Sequence, residues 1–151
     1  MKPIAYSLQF RGHAARLHGD CVRLRLSAPS AALVTTIGAF GVRGRFDDVS
    51  GGEATLDAQL SLGRSRTVDR GTIDFGRGNT VRFRSRPPRL ARSPDPHLEQ
   101  GAVIREVEGG KGQFAGAEGL ITSNFLISDT GDVTDNHFGL IFIRDDTERQ
   151  S

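Results

Sequence analysis

Four polar side chains near the C-terminal end carry the types and spacing that could do chemistry: Thr122, Asn124, Asp135 and His137. All lie in alternating, strand-like runs, with the turn sequence Asp129-Thr130-Gly131-Asp132 between them. A hairpin loop of two or four residues makes Asn124 face His137, Thr122 face Gly139 and Leu126 face Asp135. A three-residue loop shifts the pairing and breaks these assignments. An imidazole beside an amide and near a carboxylate can act as general acid or base close to neutral pH. The same four residues also fit a plainer reading as wet or internally satisfied strand polars. We take His137 and Asp135 as candidate catalytic residues, and Asn124 and Thr122 as candidate substrate contacts.

Two aromatic residues join that set. Tyr6 is the one tyrosine of the chain. It is either a rim residue with a wet hydroxyl or a phenol at a ligand pocket. Phe83 shares a strand face with Val81 and is a candidate wall for an apolar substrate. Other chemistry finds little support. His13 and His18 flank HAARLHG with the wrong spacing for a metal helix and read as loop residues. No Cys/His cluster suggests zinc, and there is no GxSxG nucleophile turn. Glu106, Glu108 and Glu118 read as rim charges or as a carboxylate facing a cavity. The expectation is a protein without metal or cofactor.

The elements that would hold these residues are strands. Ile4 to Phe10 alternates, and so does Val22-Arg23-Leu24-Arg25-Leu26. Pro29 interrupts, Ala31 to Ile37 is more continuously apolar, and FDDVSGG reads as a loop. Ala54, Leu56, Ala58, Leu60 and Leu62 give the cleanest period of two, which excludes a helix there. Thr72 to Phe75 and Val81 to Ser85 flank the turn Gly76-Arg77-Gly78-Asn79. RPPRLARSPDPH (86–97) has prolines that cannot donate to a ladder and reads as an irregular loop, with a lid over a site as one use. In the final hairpin neither face is wholly polar, so both sides need cover. A closed barrel covers one; a second copy of the chain is one way to cover the other.

Between the Arg105–Glu108 strand and the last hairpin lies GGKGQFAGAEG, with five glycines around Phe114. It lacks the Lys-Ser/Thr ending of a phosphate loop and no helical pattern follows it. It predicts a bulged strand connection with Phe114 plugged into the core. This segment resembles the glycine-rich connection of the allene oxide cyclase-like barrel family, to which dirigent proteins are more distantly related. Gly71 to Arg86 fits that resemblance as the preceding hairpin. The resemblance covers the second half of the chain and is faint in the first. It implies a barrel that binds a hydrophobic, oxygenated substrate and promotes ring closure through pocket shape, a bound water and a carboxylate. The first strand has no acidic residue where that carboxylate would be sought, and no tyrosine follows Phe83. Those departures speak against the plant-type reaction and leave open another cyclisation, or binding alone.

The whole sequence fits one domain, 1–151, with no composition break. Its formal net charge of +2, with 20 Lys and Arg against 18 Asp and Glu, argues against a nucleic-acid partner. A single cysteine, Cys21, fits a reducing compartment. No run is long and apolar enough for a membrane helix, and MKPIAYSLQF does not read as a signal peptide. The expectation is therefore a cytoplasmic, all-β protein: a closed antiparallel, calycin-like barrel of about eight strands. Its expected function is cofactor-free cyclisation or isomerisation of a polyketide- or fatty-acid-like substrate. The alternative is a non-catalytic small-molecule-binding or structural barrel. Expected partners are a hydrophobic small molecule and a second copy of the chain.

Overall fold

The computed structural model describes residues 1–63 and 68–145. Nine strands are present among them: β1 (Lys2–His18), β2 (Cys21–Gly38), β3 (Gly41–Ser61), β4 (Asp69–Asp74), β5 (Thr80–Ser85), β6 (Arg89–Ala91), β7 (Leu98–Lys111), β8 (Glu118–Ser128) and β9 (Asp132–Ile143). One antiparallel sheet runs β5-β4-β3-β2-β1-β9-β8-β7-β6, and a further pairing of β5 with β7 brings it round into a ring. Both β5 and β6 lie along the same edge of β7. Pro87 and Pro88 separate them, since neither can donate to the ladder. The segment read from the sequence as irregular therefore contains one short strand.

The alternation in the sequence decides which side chains turn inward. Leu24, Leu26, Leu56, Ala58, Leu60, Ile73, Val81, Val103, Ile121 and Ile141 are all buried in one core. Their intervening neighbours face out, as a period of two requires. β1 runs past the expected Phe10 to His18, so His13 is a strand residue, paired with Arg25 and Asp132, and not a loop histidine. FDDVSGG also belongs to a strand, the long β3. Beyond an irregularity at Pro29–Ala31, β2 and β3 continue together as a two-stranded ribbon that pairs with nothing else.

The glycine segment behaves as its composition predicts. The register between β5 and β7 slips between Val81 and Phe83, opposite Gly109, whose φ of 90° favours glycine. A single 3-10 turn (Gly112–Phe114) follows and buries Phe114 against Phe75, with ring centroids 5.3 Å apart. Tyr6 packs edge-on against Phe75 at 5.5 Å. These three rings meet where the glycine segment crosses between β7 and β8. No helix among the described residues is long and apolar enough to cross a membrane.

The last hairpin differs from the expected register by one residue. Ile127 pairs with Val133, Phe125 with Asp135 and Ser123 with His137. The loop is thus three residues, Asp129 to Gly131, with Gly131 at φ 90° and its amide donating to Ser128 O. A three-residue loop with glycine in the left-handed position is a common hairpin solution. The shift by one places odd-numbered residues of both strands on the inside together.

Candidate functional site

That register brings Ser123, Asp135 and His137 onto the inner face of β8 and β9, and Arg105 reaches them from β7. All four are nearly inaccessible, at 1% for Ser123 and Arg105, 0% for Asp135 and 2% for His137. Arg105 Nη2 donates to Asp135 Oδ2 at 3.2 Å, and His137 Nε2 lies 3.0 Å from the same oxygen. Ser123 Oγ donates to the other carboxylate oxygen. Arg105 Nη1 sits 3.3 Å from His137 Nε2, and its guanidinium carbon lies 5.3 Å from the centre of the Phe83 ring. Phe10 packs on the imidazole, with centroids 4.6 Å apart.

The charges sort themselves by neighbours. Burial pushes the His137 imidazole below its ordinary value against the pull of Asp135, and Arg105 adds to the depression. Burial pushes Asp135 up, but the interactions with His137 and Arg105, and a hydrogen bond from Ser123, leave it below the usual carboxylate range. With the imidazole neutral, Arg105 is the charge that keeps Asp135 ionised. Burial also raises the Tyr6 phenol, only partly offset by Arg105, so Tyr6 is a neutral donor. The site is a guanidinium, a carboxylate, a neutral imidazole and a phenol in an apolar wall.

Three buried polar atoms here lack a partner: Tyr6 OH, Arg105 Nε and His137 Nδ1. The tautomer follows from geometry. Nε2 cannot both accept from Arg105 and donate to Asp135; the shorter contact to the anion favours donation to Asp135. Nδ1 then carries a bare lone pair. An imidazole held by a carboxylate on one nitrogen and unprotonated on the other is the arrangement of a general base. Arg105 Nε and Tyr6 OH are both donors suited to an oxygen that gains negative charge.

Of the residues singled out from the sequence, His137, Asp135, Tyr6 and Phe83 come together around Arg105. Thr122 and Asn124 do not. Both point outward, because the three-residue loop reverses which residues of β8 accompany His137. Thr122 Oγ1 donates only to the Phe138 carbonyl at 3.4 Å, and Asn124 lines a shallow outer groove with Arg89, Gln100 and Asn136. Arg105 was missed. Its signal is an arginine at the inward period between Val103 and Val107, both buried. Glu106 lies on the outside and pairs with Arg84 and Arg86. The described residues hold no group of His, Cys, Asp and Glu suited to a metal ion.

Core side chains pack around the polar cluster, and the cavity nearest to it along β9 is lined by none of Tyr6, Arg105, Ser123, Asp135 and His137. That cavity, of about 320 Å³, opens at one end of the ring, among Ala14, Val22, Leu62, Leu98 and Ile127, under Pro96 and His97. Ile127 pairs with Val133, and Asp135 is the next inward residue of β9, about 7 Å deeper. His97 Nδ1 and Asp129 Oδ2 meet at 2.9 Å on the rim. The 86–97 segment thus ends against this cavity through Pro96 and His97. No family model, curated protein or solved structure matches the chain.

Proposed function

We propose that the ring is a calycin-like barrel that takes a hydrophobic, oxygen-bearing small molecule through its open end and isomerises or cyclises it without a cofactor. The observation that carries this reading is the trio of unpartnered buried atoms around Asp135. A buried polar group without a partner costs roughly 1–3 kcal/mol, and here two donors and one acceptor are left so in the same cluster, which favours a guest that carries oxygen. In this reading Arg105 Nε and Tyr6 OH hold a carbonyl or enolate oxygen. His137 Nδ1 removes or returns a proton, while Asp135 orients the ring and stabilises its charged form. Phe83, Phe10 and the surrounding aliphatic residues exclude water and fold the chain of the guest. A polyketide- or fatty-acid-like substrate suits such walls, and the likeness of GGKGQFAGAEG to the allene oxide cyclase-like barrels points to the same class. Holding a reactive chain near its ring-closing geometry needs few catalytic groups.

A second reading has its own observation. The cluster is almost completely closed to solvent, as a purely structural network inside a non-catalytic barrel would be. Two variants separate them. Fluorescence titration with the polyunsaturated fatty acid cis-parinaric acid should show saturable binding that Arg105→Lys weakens at least tenfold. His137→Gln should bind it as the parent does yet lose ring closure or double-bond migration on a panel of unsaturated keto acids. No saturable binding, or binding indifferent to Arg105, would leave only the structural reading.

A further inference from the structure

The long ribbon of β2 and β3 carries a pattern that the ring does not use. Beyond Pro29 the paired residues are Leu33 with Phe46, Thr35 with Gly44 and Ile37 with Val42 on one face. On the other face Ala32 pairs with Asp47, Val34 with Arg45 and Thr36 with Arg43. The register therefore makes one side of the ribbon apolar from Leu33 and Phe46 to the tip, with Asp48 at its base, and puts Asp47, Arg45 and Arg43 on the other. Its apolar side is bare: Leu33 is 50% exposed, Ile37 80% and Val42 69%, and Phe40 at the tip is 104% exposed. An isolated two-stranded ribbon is marginal in water, and one with an uncovered apolar face is more so.

A second bare apolar face lies on the ring itself. On the outside of β7, β8 and β9, Ile104, Leu120, Phe138, Leu140 and Phe142 are 38–55% exposed. The register makes them neighbours: Leu140 lies beside Leu120, and Thr122 sits between Phe138 and Ile104. The ribbon does not cover this face in its own chain, since the residues of both stay exposed. Around the ring β1 separates β2 from β9, and β8 is four strands from β3.

We propose that the apolar side of the ribbon, Leu33-Ile37-Val42-Phe46, packs on the outer face of β8 and β9 of a second copy, and that two copies exchange ribbons reciprocally. Both surfaces are two- or three-stranded and expose apolar side chains, as stacking one sheet on another requires. The ribbon from Ala31 to Gly38 reaches about 26 Å and is about 10 Å wide, close to the footprint of the bare outer face. One such contact buries about 500 Å² in total. Reciprocal exchange doubles that to about 1,000 Å², the lower bound for a specific interface. A one-way contact falls short, which is why the exchange closes on two copies.

Sedimentation equilibrium on the full chain tests this. The expected mass is about twice 16.3 kDa at micromolar concentration. Ile37→Asp/Val42→Asp on the ribbon and Leu140→Asp on the ring should each yield a folded monomer, with an unchanged far-ultraviolet spectrum. Leu140→Thr is the milder companion should the aspartate disturb the ring, and it should raise the dimer dissociation constant at least tenfold. Oxidation of the pair Val42→Cys and Leu140→Cys should join two chains covalently. A monomeric parent at 100 µM overturns the proposal. So does a dimer that survives either the ribbon or the ring substitutions, and so does an assembly that keeps growing with concentration. A parent that stays monomeric and instead binds anionic phospholipid vesicles through Phe40 assigns the ribbon to a lipid surface and refutes the exchange.

Discussion

Replacing Arg105 by methionine tests the electrostatic account of the interior most directly. Methionine keeps much of the apolar stem packed against Phe83 and removes the guanidinium. Asp135, 0% exposed, then keeps only Ser123 and the neutral His137 as hydrogen-bond partners. Either it stays ionised without its counter-charge, or it takes up a proton at neutral pH against its normal tendency. Breaking a buried pair in this way costs about 3–5 kcal/mol. A domain of this size has roughly 5–15 kcal/mol in all, so the variant should remain folded but fragile. Thermal melting should drop by about 6–20 °C, and urea denaturation at pH 7.5 should give the same energy difference. Adding Asp135→Asn to the Arg105→Met chain should restore much of the loss, because the uncompensated charge is gone. The penalty of Arg105→Met alone should also shrink toward pH 4, where Asp135 can be neutral. A loss under 1 kcal/mol, or a double variant no better than the single, would refute the claim that Arg105 holds Asp135 ionised.

His137 is depressed by burial, so the unfolded chain takes up a proton near pH 6.5 that the folded chain refuses; stability is full above that value and declines as pH falls below it. Asp135, also depressed, adds a second loss that begins near its ordinary value of 3.8 as pH falls. Denaturation midpoints from pH 8 to 3 should show both phases, and His137→Gln should remove the first while keeping the second. Gly139→Ala should destabilise by about 1–3 kcal/mol, because its methyl would lie 2.1 Å from Tyr6 Cε1, and Tyr6→Val should relieve part of that cost in calorimetry. Asn124→Ala and Thr122→Ala lie on the outer face and should change stability by less than about 0.5 kcal/mol and leave fatty-acid binding untouched.

The strands were legible because their alternation is strict. Leu24-Arg25-Leu26 and Leu56-Asp57-Ala58 declare an inside and an outside at each step, and the inside residues are those buried. The buried place of Phe114 could be read from a glycine cluster too dense for any other role. The hairpin register could not. Asp129-Thr130-Gly131-Asp132 accommodates two, three or four loop residues, and only the positive φ of Gly131 with its bond to Ser128 selects three. One residue of slip exchanged Asn124 for Ser123 as the neighbour of His137. Arg105 was hidden for another reason: thirty residues separate it from Asp135, and an arginine in a strand ordinarily faces water. The place of FDDVSGG in the long β2–β3 ribbon could not be read, because these residues favour turns and their pairing depends on the partner strand.

Why a ring this small should bury an arginine, an aspartate and a histidine bears on what it does. Well-packed apolar residues in their place would be as stable or more so. Stability therefore gives no reason to keep them, and the three unpartnered atoms make the arrangement costlier still. A network kept only to fix strand register would satisfy its own donors, as Asp69 does with the backbone amide and hydroxyl of Ser61 at 2.6 and 2.8 Å. The contrast between those two buried carboxylates is informative. Asp69 closes a finished structural contact. Asp135 orients a histidine whose other nitrogen is left open, beside an arginine and a phenol that also lack acceptors. The unpartnered atoms set the Asp135 cluster apart from the finished Asp69 contact, and the proposed binding of a guest molecule rests on that difference.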